Sequence, residues 1–122
     1  MDARGVCDRI LACDNRIKDV YIVDSDAHLT AFKGNGDMSA IGEARLAEII
    51  EDFLFIVGSR KHHEDIFGIL EYIHITHKNS ETFLFPFEKD KVLCVCLKNK
   101  DFAEKEIVSK VRHGVMDVRQ LA

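Results

Sequence analysis

One segment near the end of the sequence limits the folds open to this chain more than any other. Between Lys91 and Leu97 it reads Val92-Leu93-Cys94-Val95-Cys96-Leu97. A strand built from these residues is apolar on both faces, so neither face suits water. Strands of this kind occupy the middle of a sheet that is covered on both sides. The sequence therefore predicts a central strand in a sheet with helices packed against each face.

The rest of the chain supplies the other elements of such a sheet. Apolar residues at helical spacing predict a first helix between about Met1 and Lys18. A last helix is predicted from an Asp-x-x-Glu capping box at Asp101 to a stop at Gly114. Runs of β-branched and aromatic residues predict a hairpin and two more strands. These segments are Val20–Val23 with His28–Phe32, then 69–77 and 81–87.

The longest predicted helix extends from about Ser39, its expected N-cap, to His63. Its apolar residues fill one half of the helical wheel, but Phe55 falls in the middle of the polar half and Ile41 lies near it. Single exposed apolar residues are common on protein surfaces. A partner surface is the alternative explanation, because exposed apolar patches mark interaction sites.

Composition excludes several classes of function. The chain has 122 residues and a net charge of −4, which favours one domain and disfavours a general nucleic-acid binder. We expect the domain to span residues 1–114 and a tail to span 115–122. The longest apolar run, Phe53 to Val57, is far too short to cross a bilayer, and no signal-peptide core is visible. No membrane insertion is expected, and the cytoplasm is the expected location.

The four cysteines are expected to be free thiols in that compartment. Cys94 and Cys96 lie two apart on one strand and so face the same side of the sheet. They could pair with Cys7 or Cys13 if the first helix crosses there. The simpler interpretation treats all of them as small buried apolar residues.

Histidines near the end of the long helix and on the next strand raise the question of a metal site. His62 and His63 point in different directions on a helix, and His74 and His77 point to opposite faces of a strand. Their spacing matches no usual metal signature. No metal or other cofactor is therefore expected.

Catalytic patterns are similarly weak. Asp24 and Asp26 could form an acid/base pair, but they occupy a hairpin turn where Asp commonly binds its own backbone. The segment Lys33-Gly34-Asn35-Gly36 is glycine-rich like a phosphate-binding loop but lacks the required Lys-Ser or Lys-Thr ending. No nucleophile with a positioned base is evident. The sequence thus indicates a protein that is not an enzyme.

The order helix, two strands, long helix, three strands, helix resembles the roadblock/dynein-light-chain domain, a relative of the profilin and longin folds. The segment Ile17–Asp24 followed by Leu29-Thr30-Ala31 is similar to the first hairpin of such domains. One departure is Ala27-His28, where glycine often follows the turn aspartate. Four further segments resemble a group of uncharacterised archaeal roadblock-like proteins: Arg60–Gly68, Tyr72-Ile73, Phe85–Phe87 and Val92–Val95. The resemblance as a whole covers about residues 5 to 113.

This resemblance implies an α+β fold: a five-stranded antiparallel sheet with the long helix on one face and the N- and C-terminal helices on the other. It also implies a homodimer in which the long helices meet, and a partner such as a Ras-like small GTPase or another signalling protein. The residues expected at the dimer or partner interface are Ile41, Glu48, Asp52, Phe55 and Ser59.

A second functional interpretation is a PAS/profilin-like sensory domain that binds a small ligand. Such a sensor needs a cavity between sheet and helix. The bulky Phe83, Phe85 and Phe87 favour a filled core instead. The leading interpretation is therefore an interaction or scaffold module.

Overall fold

A computed structural model of the chain describes residues 2–34, 41–98 and 101–121, with side chains described as far as Val115. Within these residues the chain forms helices and strands in this order: α1 Ala3–Ala12, β1 Ile17–Val23, β2 Leu29–Gly34, α2 Glu43–Lys61, α3 Glu64–Phe67, β3 Ile73–His77, β4 Ser80–Phe87, β5 Lys91–Leu97 and α4 Glu104–Leu121.

The strands of the described part form one antiparallel sheet in the order β2-β1-β5-β4-β3. The doubly apolar strand β5 lies at its centre, as predicted. Val95 of β5 pairs with Val20 on one side and with Phe83 on the other. The first and last thirds of the chain are thus joined through the middle of the sheet.

One face of the sheet carries α1 and α4 over a dense apolar core. Phe83, Leu93 and Val95 of the sheet are fully buried there, together with Ile10 of α1 and Ile107 of α4. The opposite face carries α2 over a second cluster that includes Tyr21 and Leu84. The predicted fold class, with the long helix on one face and the terminal helices on the other, is confirmed.

The two faces differ in how completely they are covered. Of the nineteen residues of α2, all of them described, only Ile50 and Val57 are buried. Ala47, which falls in the half of the helical wheel that the sequence predicts to be apolar, is exposed. α2 therefore rests on the sheet along a narrow stripe and leaves much of its surface open.

The first helix is shorter than predicted. α1 ends at Ala12, because the carboxylate of Asp14 closes a turn by accepting a hydrogen bond of 2.8 Å from the Arg16 backbone N–H. The same carboxylate accepts bonds from the Arg16 guanidinium and from Lys110 of α4. Ile17, which continues the helical spacing of apolar residues, is instead the first residue of β1.

The second helix also begins later than predicted. α2 starts at Glu43 with Gly42 at its N-cap, and Ile41 precedes the helix. Ser39, the expected cap, lies outside the described residues. At the other end the helix stops at Lys61, and the short α3 follows.

Both predicted ends of the last helix are wrong. α4 starts at Glu104, which makes this residue the first of the helix and not the third residue of a capping box. Gly114 does not stop the helix, which continues to Leu121.

The strand predicted over 69–77 begins only at Ile73. Across the part of the chain that the structure covers, no helix is both long and apolar enough to cross a membrane.

Candidate functional site

The residues expected at an interface are all exposed. Phe55 is 76% exposed, and Glu48, Asp52 and Ser59 are exposed at the same i, i+4, i+7, i+11 spacing along α2. Glu48 makes a surface ion pair of 3.5 Å with Arg45. Ile41 is 42% exposed but lies before the helix, so it does not extend this row.

The sequence interpretation missed a second group of exposed apolar residues. Ile66 and Phe67 of α3 are 72% and 73% exposed, and Ile69 just after it is 85% exposed. The Arg60 guanidinium carbon lies 5.6 Å from the centre of the Phe67 ring. We call Arg60, Ile66, Phe67 and Ile69 the α2–α3 surface. The signal was present in Ile66-Phe67-Gly68-Ile69, where three large apolar residues flank a glycine without the alternation of a half-buried strand.

A cavity of about 400 Å³ lies between α2 and the sheet and opens to solvent. Half-buried Leu46, Ile49 and Phe53 form its α2 wall. Its lining also includes Asp19 of β1 and other residues of the sheet and rim: Lys18, Tyr21, Ile41, Asp52, His77, Ser80, Thr82 and Cys96. Two of the expected interface residues, Ile41 and Asp52, thus also border this cavity.

Three neighbouring strands build the polar floor of the cavity. Cys96 pairs with Asp19 on one side and with Thr82 on the other, so the three side chains form one row across β1, β5 and β4. Asp19 is 1% exposed and Thr82 is 7% exposed. The Thr82 hydroxyl lies 3.8 Å from the Cys96 sulfur. The row places a carboxylate, a thiol and a hydroxyl side by side beneath α2.

Gly34 makes room for this floor. It pairs with Asp19 across the β1–β2 hairpin, and a Cβ at position 34 would lie 2.0 Å from the Asp19 Oδ1 atom. Lys33 and Gly34 therefore belong to β2, and not to the glycine-rich connection predicted from the sequence. Asn35, Gly36 and Asp37 of that connection lie outside the described residues.

The cysteines are free thiols, as expected from the sequence. Cys94 and Cys96 face α2, whereas Cys7 lies in the cluster on the opposite face of the sheet. The sheet therefore separates the strand cysteines from those of the first helix. Burial raises the pKa of the Cys7 thiol to about 11 and also raises the pKa values of Cys94 and Cys96. These groups are poor nucleophiles at neutral pH.

The four histidines considered for a metal site do not come together. His62 and His63 are exposed beyond the end of α2, with ring centres 5.2 Å apart. His77 borders the cavity, and His74 lies on the opposite face of the sheet against Phe83. The prediction that His74 and His77 point to opposite faces is confirmed.

His74 connects α4 to the sheet. One ring nitrogen contacts the Glu104 carboxylate and the other lies 3.0 Å from the Glu81 carboxylate. Tyr72 donates a 2.8 Å hydrogen bond to Glu104 as well. The bonds from Tyr72 and His74 lower the pKa of Glu104. This network holds the start of α4 and explains why Glu104 does not serve as a capping-box residue.

Asp24 serves the hairpin turn. Its Oδ1 atom accepts hydrogen bonds from the backbone N–H groups of Asp26 and His28, at 2.9 and 3.0 Å. These bonds lower the pKa of Asp24. The expected turn role is therefore confirmed for Asp24.

The geometry defines a class: a small α+β domain with one densely packed face, and with a long helix on the other face that leaves apolar side chains and a polar-floored cavity open. The sequence matches no protein-family model and no curated protein. Solved structures, by contrast, share the whole fold.

A Roadblock/LC7 domain from Streptomyces avermitilis superposes with a TM-score of 0.74 at 10% identity, covering 99% of this chain and 98% of that one. Myxococcus xanthus MglB gives a TM-score of 0.75 at 14% identity, with 98% and 93% covered. A structure of MglB with tetrameric arrangement gives 0.70 at 10% identity, with 98% and 87% covered. This chain has the roadblock/LC7 fold, as the resemblance implied.

Proposed function

We propose that this chain is a non-catalytic, homodimeric interaction module that regulates or scaffolds a partner protein. The observation that carries this proposal is the open side of α2. A nineteen-residue helix with two buried residues leaves most of its surface uncovered in a single copy. Phe55 projects from that uncovered surface with 76% of its area in solvent.

A second copy of the chain is well suited to pack against the exposed face of α2. A two-fold interface requires a patch that is complementary to itself, and a helix lying beside its own symmetry mate provides one. Phe55 would then lie near the centre of the interface, with Glu48, Asp52 and Ser59 along the same row. The tetrameric arrangement of MglB, a protein of the same fold, supports self-association as a property to test.

The partner proposed for the dimer is a Ras-like small GTPase or another protein of a signalling complex, in the cytoplasm. This part rests on the roadblock resemblance of the sequence and on the shared fold. The four free thiols are compatible with a reducing compartment. The α2–α3 surface, where the Arg60 guanidinium lies 5.6 Å from the centre of the exposed Phe67 ring, supplies both apolar area and charge for recognition.

Light scattering tests the dimer directly. We expect the unaltered chain to have twice the monomer mass of 13.9 kDa at high concentration. Phe55→Glu should shift the mass toward the monomer while circular dichroism shows an unchanged fold. Ser109→Glu, on the exposed side of α4, is the matched control and should remain dimeric. A monomer for the unaltered chain would refute the proposal.

The partner is tested by affinity capture from the source organism with the unaltered chain and with Ile66→Glu/Phe67→Glu as baits. Recovery of a GTPase by the first bait and its loss with the second would support the proposal. Recovery of the same GTPase by both baits would exclude the α2–α3 surface as its docking site.

A further inference from the structure

We propose that the cavity beneath α2 binds a small organic amine: a cationic nitrogen on a compact apolar body. The proposal concerns a site within one copy of the chain and does not depend on dimer formation. It rests on the size of the cavity, the composition of its floor and the acidic side chain buried there.

The size suits a small molecule. Ligand-binding pockets typically measure about 300 to 1,000 Å³, and this cavity measures about 400 Å³. Its wall is formed by Leu46, Ile49 and Phe53, which are half-buried and so retain apolar surface for a ligand to cover. The aromatic residues that favoured a filled core from the sequence, Phe83, Phe85 and Phe87, all pack on the other face of the sheet.

The floor of the cavity differs from the adjoining part of the same sheet face. Two residues from Cys96 on the same face of β5, Cys94 pairs with Tyr21 and Leu84. At this row α2 covers a largely apolar surface. In the floor row, Asp19, Cys96 and Thr82 present polar groups at positions where burial would favour apolar ones. Polarity is therefore concentrated at the base of the cavity, which is the arrangement that orients ligands in apolar pockets.

The ionisable side chain buried in this row is acidic. Asp19 is 1% exposed, whereas Lys18 is half-buried and Asp52 is exposed at the rim, where water screens their charges. A carboxylate has two oxygens with about four lone-pair sites, so Asp19 can accept a hydrogen bond from a ligand in addition to the contacts that it makes within the chain. Such a bond to a cation gains strength away from bulk water.

Three matched probes test the chemistry: 2-phenylethylamine, 2-phenylethanol and phenylacetate. Each is titrated into the isotopically labelled chain while the backbone amide signals of Asp19, Tyr21, Thr82 and Cys96 are followed by NMR. We expect the amine to shift these signals and to bind about tenfold or more tightly than the alcohol, with the acid weakest. Equal affinities for the three probes, or shifts confined to other parts of the chain, would overturn the proposal.

Two substitutions locate the site independently of the probe series. Ile49→Phe adds volume to the cavity wall and should weaken amine binding by about tenfold or more. Val115→Phe adds a similar volume at the groove between α4 and the sheet and should leave binding unchanged. Unchanged affinity in Ile49→Phe would show that the amine binds elsewhere.

Asp19→Asn should remove the preference for the amine over the alcohol while both still bind. If this variant does not fold, Thr82→Val provides the second measurement. It keeps the shape of the floor, removes its hydroxyl, and should weaken binding of all the probes that hydrogen-bond there. Retention of the full amine preference in Asp19→Asn, or of full affinity in a folded Thr82→Val, would contradict the assignment of the floor.

Discussion

Gly114 of α4 lies directly against Ile10 of α1: a Cβ atom at position 114 would come within 2.6 Å of the Ile10 Cδ1 atom. Both residues are buried. α1 and α4 can approach this closely only because residue 114 has no side chain. The glycine that resembles a helix stop in the sequence is therefore a contact point between two helices.

Gly114→Ala should be better tolerated once Ile10 is shortened. Alanine gains about 1 kcal/mol in helix propensity over glycine, but in the unaltered chain the new methyl group collides with Ile10. Ile10→Val removes the colliding carbon at a cost of about 0.5–1.5 kcal/mol. We expect Gly114→Ala to be more favourable by about 1 kcal/mol in the Ile10→Val background, as measured by urea unfolding. The same effect in both backgrounds would refute the contact.

Gly34→Ala should destabilise the chain by about 1–3 kcal/mol. The new Cβ would lie 2.0 Å from the Asp19 carboxylate and 2.9 Å from the Lys18 carbonyl oxygen, and the backbone carbonyl cannot rotate away. Gly58→Ala is the control, because a Cβ there meets nothing within 4 Å and should add about 1 kcal/mol of helix stability. Thermal unfolding that ranks the two variants in the opposite order would contradict the packing of the hairpin.

Asp14→Asn should lower stability at neutral pH by about 1.5–3 kcal/mol. The Arg16 hydrogen bond holds the pKa of the buried Asp14 carboxyl well below its ordinary value of 3.8. A carboxyl with a depressed folded-state pKa stabilises the chain above its ordinary pKa, and this contribution is lost as pH falls toward the folded-state value.

The unaltered chain and Asp14→Asn should therefore converge in stability as the pH is lowered from about 4 to 2. Urea unfolding at each pH measures the difference. Asp26→Asn, an exposed turn position, serves as the control and should follow the unaltered chain. A constant difference between the unaltered chain and Asp14→Asn across this range would show that the carboxylate charge has no part in the effect.

His74→Phe should destabilise the chain by about 1–3 kcal/mol even though it keeps an aromatic ring. The His74 ring lies 4.2 Å from the Phe83 ring at an angle of 11°, so phenylalanine retains the stacking and loses the contacts to Glu81 and Glu104. Adding Glu81→Gln removes the carboxylate charge left near the core and should recover part of the loss. Additive effects in this double variant would rule out coupling between His74 and Glu81.

Local patterns were sufficient to predict most of the fold. The apolar residues of β5 require cover on both faces, and the structure places this strand at the centre of the sheet. The helical wheel of α2 separates Phe55 from the buried residues, and Phe55 is exposed. Each of these inferences depends on residues within one element, where periodicity carries the information.

The errors arise where a distant residue decides the outcome. The contact of Gly114 with Ile10 and the binding of Glu104 by His74 join positions far apart in the sequence, so local spacing suggested a stop and a cap instead. The cavity was missed for the same reason. Its polar row of Asp19, Cys96 and Thr82 exists only in the register of three paired strands, which no single segment of the sequence encodes.

The position of β1 beside β5 has a consequence for how the chain reaches its native state. The β1–β2 hairpin and the β3–β4–β5 meander each contain contacts between near neighbours and can form within microseconds. Pairing of Val20 with Val95 must close a loop that contains most of the polypeptide. Because rates fall as contacts become more distant in sequence, we expect this central seam to form last and to set the rate of folding.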